Sequence, residues 1–120
     1  MKPFTLGEME QKFADLIWEH QPVPTRELTG LCAEKFEWKR TTTYTMLKRL
    51  CDRRIFENRN GMVVSLMSRE EFLAAQSEQF VKETFNGSLP LFLAAFTRRK
   101  HLSKQEIREI ERLIKQHREE

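Results

Sequence analysis

The chain has 120 residues, of which 21 are Lys or Arg and 18 are Asp or Glu, for a formal net charge of +3. That length allows one domain or a small domain with an appendage, and modules of this size often complete a modest core by dimerising. No apolar run approaches membrane-spanning length, the amino-terminal residues lack a signal peptide's apolar stretch, and so mild a charge does not by itself indicate nucleic acid. The two cysteines, Cys32 and Cys51, fall on apolar helix faces and read as reduced core thiols of a cytoplasmic protein.

Thr5 and Glu8 have the spacing of a capping box, with Phe4 and Met9 placed as a hydrophobic staple across it. Met9, Phe13, Leu16 and Ile17 then recur at helical spacing, so a first helix is expected to run to about His20. Pro22 and Pro24 break the chain. Thr25 reads as the N-cap of a second helix that turns Leu28, Leu31, Cys32 and Phe36 inward. A short turn at Glu37-Trp38 leads into a third helix over 38–54, with Thr43, Met46 or Leu47, Leu50 and Cys51 as its apolar stripe.

The third helix breaks local rules. Four threonines and a tyrosine crowd its first half, although threonine is a mediocre helix former. Threonine does carry a donor, an acceptor and a methyl group, which suit base edges and the thymine methyl. Lys39 and Arg40 stand at the positive end of the helix dipole, where a cation costs a few tenths to about 1 kcal/mol. A polyanion against that end would remove the cost. From Lys35 to Arg59 there are eight basic and three acidic residues, a net +5 that exceeds the charge of the whole chain.

Residues 55–59 and 62–66 read as strands joined by Asn60-Gly61, a type I′ hairpin signal. Two helices, a turn, a basic helix and a tight hairpin make a winged helix-turn-helix pattern, with the helix in a major groove and the hairpin tip on the flanking backbone. Ser68 and Glu71 form a second capping box and mark a domain boundary, 1–67 against 68–120. The helix that follows carries Phe72, Leu73, Phe80 and Val81 and stops at Asn86-Gly87. Ser88 can cap a fifth helix whose residues 89–96 are almost wholly apolar, and Ser103 with Glu106 caps a sixth, lined by Ile107, Ile110, Leu113 and Ile114. These three helices expose more apolar surface than so small a unit can bury alone, which predicts a dimer unless they pack back on the winged helix of the same chain. The expected fold is mainly α with a small β-hairpin: an amino-terminal winged helix-turn-helix and a three-helix carboxy-terminal dimerisation domain.

No metal-ligand spacing, phosphate loop, nucleophile elbow or histidine–carboxylate pair appears, so neither an enzyme nor a cofactor or metal site is expected. The candidate groove-facing residues are Arg40, Thr41, Thr42, Tyr44 and Thr45. Trp38, Lys39, Lys48, Arg49, Arg59, Thr25 and Arg26 are candidates for phosphates, with Asn60 at the hairpin tip. Two of these stay open: Arg49 could instead tie the third helix to an acid of the first, and Trp38 could be a lid on the core. Candidate dimer contacts are Phe80, Leu91, Phe92, Phe96, Ile107, Ile110, Leu113 and Ile114. The alternative reading is a winged helix that docks an acidic protein.

Glu8-Met9-Glu10, Ile17-Trp18, Trp38 with Thr42, Thr45, Leu47, Arg49 and Leu50, then Phe80, Phe85-Asn86-Gly87 and Leu102 to Ile107 occur in an order that resembles the BlaI/MecI penicillinase-repressor family of bacterial regulators. The resemblance implies a homodimeric winged-helix repressor on inverted-repeat operators in double-stranded DNA. It also implies relief by proteolysis in the dimerisation domain, through a membrane-bound sensor with a zinc protease domain, the repressor itself making no direct membrane contact. There are departures from the family pattern. Lys39 replaces a small capping residue after the tryptophan, and Arg54 replaces a glycine, so the third helix is expected to lack the usual left-handed stop. Ala95-Phe96 aligns with the family's Asn-Phe cleavage site. The paired Cys-x-Cys clusters of a metal-responsive branch are absent.

Overall fold

Apolar stripes from four helices and a small sheet meet in one core. The computed structural model describes residues 4–120. In chain order the elements are α1 (Glu8–His20), β1 (Val23–Pro24), α2 (Thr25–Phe36), α3 (Arg40–Asp52), β2 (Phe56–Arg59), β3 (Met62–Ser65), α4 (Arg69–Thr84), α5 (Leu89–Arg99) and α6 (Lys104–Glu119). The fold is a winged helix-turn-helix followed by carboxy-terminal helices. By packing, the chain forms two compact units, residues 1–79 and 80–120, which divide within α4.

In the first unit, Phe13 and Ile17 of α1, Leu28 and Cys32 of α2, Leu47 and Leu50 of α3, and Ile55, Phe56, Val63 and Phe72 are buried together. Phe72 explains why the start of α4 belongs to this unit. Its ring and that of Phe56 both pack on Trp18, with centroids 5.4 and 5.2 Å away, and the Trp18 indole N–H donates to the Met67 carbonyl at 3.0 Å.

The amino-terminal cap is not the expected one. Gly7 is the N-cap, and the Glu10 carboxylate reaches back to its N–H at 2.9 Å. Thr5 is committed elsewhere: its carbonyl accepts from Arg53 at 2.8 Å and its hydroxyl from Gln79 at 2.9 Å. Phe4 packs edge-on against Phe72, 5.9 Å between centroids, while Met9 is 37% exposed. Long-range contacts thus override a local capping pattern.

Thr25 is likewise the first residue of α2 and not its cap, which is Pro24. The reason is a strand too short to foresee. Val23 pairs with Val63 and Pro24 with Met62, so β1 joins β3 and β2 in an antiparallel sheet of order β1-β3-β2. Pro24 is tolerated because β1 is an edge strand. The pairing continues into the helix start, where the Thr25 N–H donates to the Gly61 carbonyl at 2.8 Å. The hairpin is as expected: Arg59 faces Met62, and Asn60 and Gly61 have φ of 52° and 86°, the positive pair a type I′ turn requires.

At the end of α3 the missing glycine does not remove the left-handed stop. Arg54 itself takes φ 64°. Its N–H donates to the Cys51 carbonyl at 3.0 Å, and the Ile55 N–H reaches back to the Leu50 carbonyl at 3.2 Å. This is the two-bond Schellman pattern, closed by burial of Leu50 and Ile55 in the core. Burial of that pair holds a non-glycine residue in a conformation that costs it about 1–2 kcal/mol.

The second unit contains the end of α4, α5 and α6. Asn86 and Gly87, with φ of 55° and 81°, end α4. The Ser88 hydroxyl accepts from Leu91 N–H at 3.1 Å, and Ser103 and Glu106 form the expected reciprocal cap of α6. Phe80, Phe85 and Phe92 form an edge-to-face cluster with centroids 5.4–6.1 Å apart. Even so, no residue from 80 to 120 is buried.

Candidate nucleic-acid interface

One side of α3 is anchored and the other is bare. Thr43, Leu47 and Leu50 point into the core, while Arg40, Thr41, Thr42, Tyr44, Thr45, Lys48 and Arg49 are exposed. Trp38, just before the helix, is half-buried against Phe13 and Phe36, with centroids 5.4 and 5.0 Å away. This placement is that of a lid on the core. Arg53 secures the other end of α3. Its guanidinium, little exposed, lies 3.8 Å from Glu10 and donates to the Thr5 carbonyl. Arg53, one turn beyond Arg49, is therefore the arginine that ties α3 to α1, and sequence reasoning missed it. Arg49 and Arg53 share a helix face, so spacing alone could not choose between them. The Arg49 guanidinium instead lies 3.6 Å from Met46 Sδ.

The amino-terminal end of α3 is uncompensated. No side chain caps it at Lys39, and its first turn holds no acid. Its leading N–H groups and the positive end of the dipole therefore face outward beside Lys39 and Arg40. Among the described residues, no carboxylate pairs with Arg26, Lys39, Arg40 or Arg49. Lys48 is paired with Asp52 at 3.1 Å and Arg59 with Glu57 at 2.9 Å, both largely exposed. Such surface pairs are worth about 0–1 kcal/mol and yield readily to a stronger anion.

The groove-facing candidates are not equivalent. The Thr45 hydroxyl donates to the Thr41 carbonyl at 2.9 Å, which leaves Thr45 a methyl group and spare acceptor capacity. The Arg40 guanidinium stacks 5.7 Å from the centre of the Tyr44 ring. The nearby Thr25 hydroxyl and then the Arg40 guanidinium hold the Tyr44 phenol below its usual range. The Thr25 N–H in turn donates to the Gly61 carbonyl in the hairpin turn. Arg26 is exposed beside it, and Arg59 and Asn60 stand at the hairpin tip. The Gly61 N–H donates to the Asn58 side chain at 2.9 Å and stiffens that tip.

Beneath the face, burial pushes the Cys32 and Cys51 thiols up. Cys32 meets the Thr43 hydroxyl, but no well-aligned hydrogen bond forms, and Thr43 Oγ1 is buried without a partner. Among the described residues no group of His, Cys, Asp and Glu is placed to hold a metal ion, and no helix is long and apolar enough to cross a membrane. In the second unit, Phe80, Leu91, Phe96, Ile107, Leu113 and Ile114 are exposed by 42–65%, while Phe92 and Ile110 are half-buried. Ala95 and Phe96 lie in mid-α5.

A helix-turn-helix with a three-stranded wing and an exposed, cation-rich second helix defines the winged-helix class of DNA-binding proteins. Comparison with known proteins narrows the class. Residues 6–116 match the family model described as Penicillinase repressor. The chain is 23% identical over 116 residues to the penicillinase repressor of Bacillus licheniformis, covering 93% of this chain and 91% of that protein. The chain belongs to the penicillinase repressor family, and it is a DNA-binding transcriptional repressor.

Proposed function

We propose that the chain acts as a homodimer on inverted-repeat operators, reading base edges with Arg40, Thr41, Thr42, Tyr44 and Thr45. Lys39, Lys48, Arg49, Thr25 and Arg26 hold phosphates, as do Arg59 and Asn60 from the wing. Trp38 supports the start of α3 from the core side and offers the backbone its exposed edge. The observation that carries this reading is the bare outer face of α3, where unpaired cations and threonines surround an uncapped helix end. Residues 1–67 are the DNA-binding part and 68–120 the dimerising part, with the start of α4 rooted in the first. The dimer rests on the absence of any buried residue from 80 to 120, which leaves Phe80, Leu91, Phe92, Phe96, Ile107, Ile110, Leu113 and Ile114 for a partner copy. Repression ends when a protease under a membrane-bound sensor cuts in α5, with Ala95–Phe96 as the candidate bond. Because that bond is helical, α5 must open locally before it can be cut. The protein acts in the cytoplasm, without catalysis of its own.

The test separates two kinds of contact. Lys48→Ala should lower the slope of log K against log salt by about 1 and weaken all sequences alike. Thr42→Ala should cost about 1–3 kcal/mol on the cognate site and little on random DNA. Equal losses on both DNAs for Thr42→Ala would remove it from base readout. A flat salt response of the unaltered protein would favour a protein partner for the patch.

A further inference from the structure

The sequence holds a second basic concentration that the winged helix does not use. Residues 98–118 carry eight basic and three acidic side chains, the same balance as the 35–59 patch. Arg98 and Arg99 at the end of α5 and Arg118 at the end of α6 answer the negative end of their helix dipoles. Arg108, Arg112 and Lys115 have no such explanation, because they lie in the middle of α6. With Lys104 and Arg118 they recur at intervals of three or four residues and form one stripe beside the apolar face of Ile107, Ile110 and Ile114. All five cations are exposed, and among the described residues none forms an ion pair.

A merely solvated face would mix its signs, and α6 has carboxylates to do so. Two of the four, Glu106 and Glu109, are placed elsewhere. Glu106 is held in the Ser103 cap, which keeps it below the usual carboxylate range, and Glu109 accepts from Gln105 at 3.3 Å. Glu111 stands in the stripe, in a shallow groove of about 480 Å³ lined also by Arg108, Arg112, Ile114, Lys115 and Arg118, and Glu119, one turn past Lys115, ends it. From Lys104 to Arg118 the stripe spans about 21 Å at 1.5 Å per residue. That is roughly the axial rise of six base pairs at 3.4 Å each along one strand.

We infer that the Lys104–Arg118 stripe of α6 is a second, sequence-independent contact for the phosphate backbone of duplex DNA. Duplex DNA is the occupant because the protein already binds it, and because a row of unpaired, mostly arginine cations of this length complements a phosphate strand. The contact adds to the operator reading by α3 and does not depend on which bases α3 reads.

The experiment uses the full-length protein with Arg108→Gln, Arg112→Gln and Lys115→Gln combined, titrated against a random-sequence duplex over a range of salt. The slope of log K against log salt should fall by about 2–3 per bound protomer, because each lost phosphate contact removes roughly 0.9. Discrimination between operator and random DNA by Thr42 should be unchanged, so failure of the α3 reading would show separately. Glu111→Gln should act in the opposite sense, tightening binding to the same duplex, and it decides the matter if the triple variant unfolds. An unchanged slope in the triple variant, or in its absence an unchanged affinity for Glu111→Gln, would overturn the inference. So would loss of binding to phosphatidylglycerol vesicles with no change on DNA, which would assign the stripe to a membrane surface.

Discussion

Two residues inside or beside α3 set its stability without touching its outer face. Thr43 buries a hydroxyl that finds no partner, and a buried unsatisfied hydroxyl costs about 1–3 kcal/mol. Thr43→Val keeps the shape and removes the cost, so it should raise unfolding stability by about 1 kcal/mol in a denaturant titration, with DNA affinity unchanged. A loss of stability of that size would mean that the hydroxyl is satisfied, with the Cys32 thiol as its partner. Arg54 occupies a left-handed conformation that glycine adopts freely. Arg54→Gly should therefore stabilise the chain by on the order of 1 kcal/mol, after glycine's greater unfolded-state freedom is set against the relieved strain. The departure from the family glycine was legible in the sequence. That the chain would turn left-handed regardless was not, because the turn is imposed by burial of Leu50 and Ile55.

At the level of elements, legibility followed the range of the interactions. The type I′ turn at Asn60-Gly61 and the caps at Ser68, Ser88 and Ser103 are decided by neighbours within three residues, and all could be read directly. The start of α1 and the strand β1 are decided by partners tens of residues away. Arg53 and Gln79 claim Thr5, and Val63 claims Val23. The outer face of α3 was legible because threonine and lysine there contradict helix propensity and dipole. The anchoring arginine was not, since Arg49 and Arg53 lie on one face. The fifth helix was legible as apolar and the sixth as amphipathic, and the structure shows how little a single chain does to cover them. If α6 supplies half of the dimer contact, a fragment of residues 1–95 should remain folded, because its core ends at Phe72. It should sediment as a monomer and bind a single half-site weakly, having lost the effective concentration that links two half-sites. A fragment that still dimerises and holds a full operator as tightly as the intact chain would rule out release by cutting at Ala95–Phe96.

For the whole molecule, one anchored helix presents a bare cationic face, and one unit without a buried residue calls for a second copy. In the proposed homodimer two identical reading helices would meet one duplex, and the two-fold symmetry of the pair would dictate the symmetry of its site. The mild overall charge of +3 hides this arrangement. Residues 4–34 hold six acidic side chains and only Lys12 and Arg26 as basic ones, which offset the two basic concentrations further along the chain. The measurement that bears most directly on the account is enrichment of bound duplexes from a random-sequence pool by the full-length protein. It should return an inverted repeat whose half-sites lie about one helical turn, or a multiple of it, apart. Arg40→Ala should erase the preference at defined positions in both halves. Enrichment of a single unrepeated half-site, or of no sequence at all, would contradict the claim that this chain reads DNA as a symmetric pair.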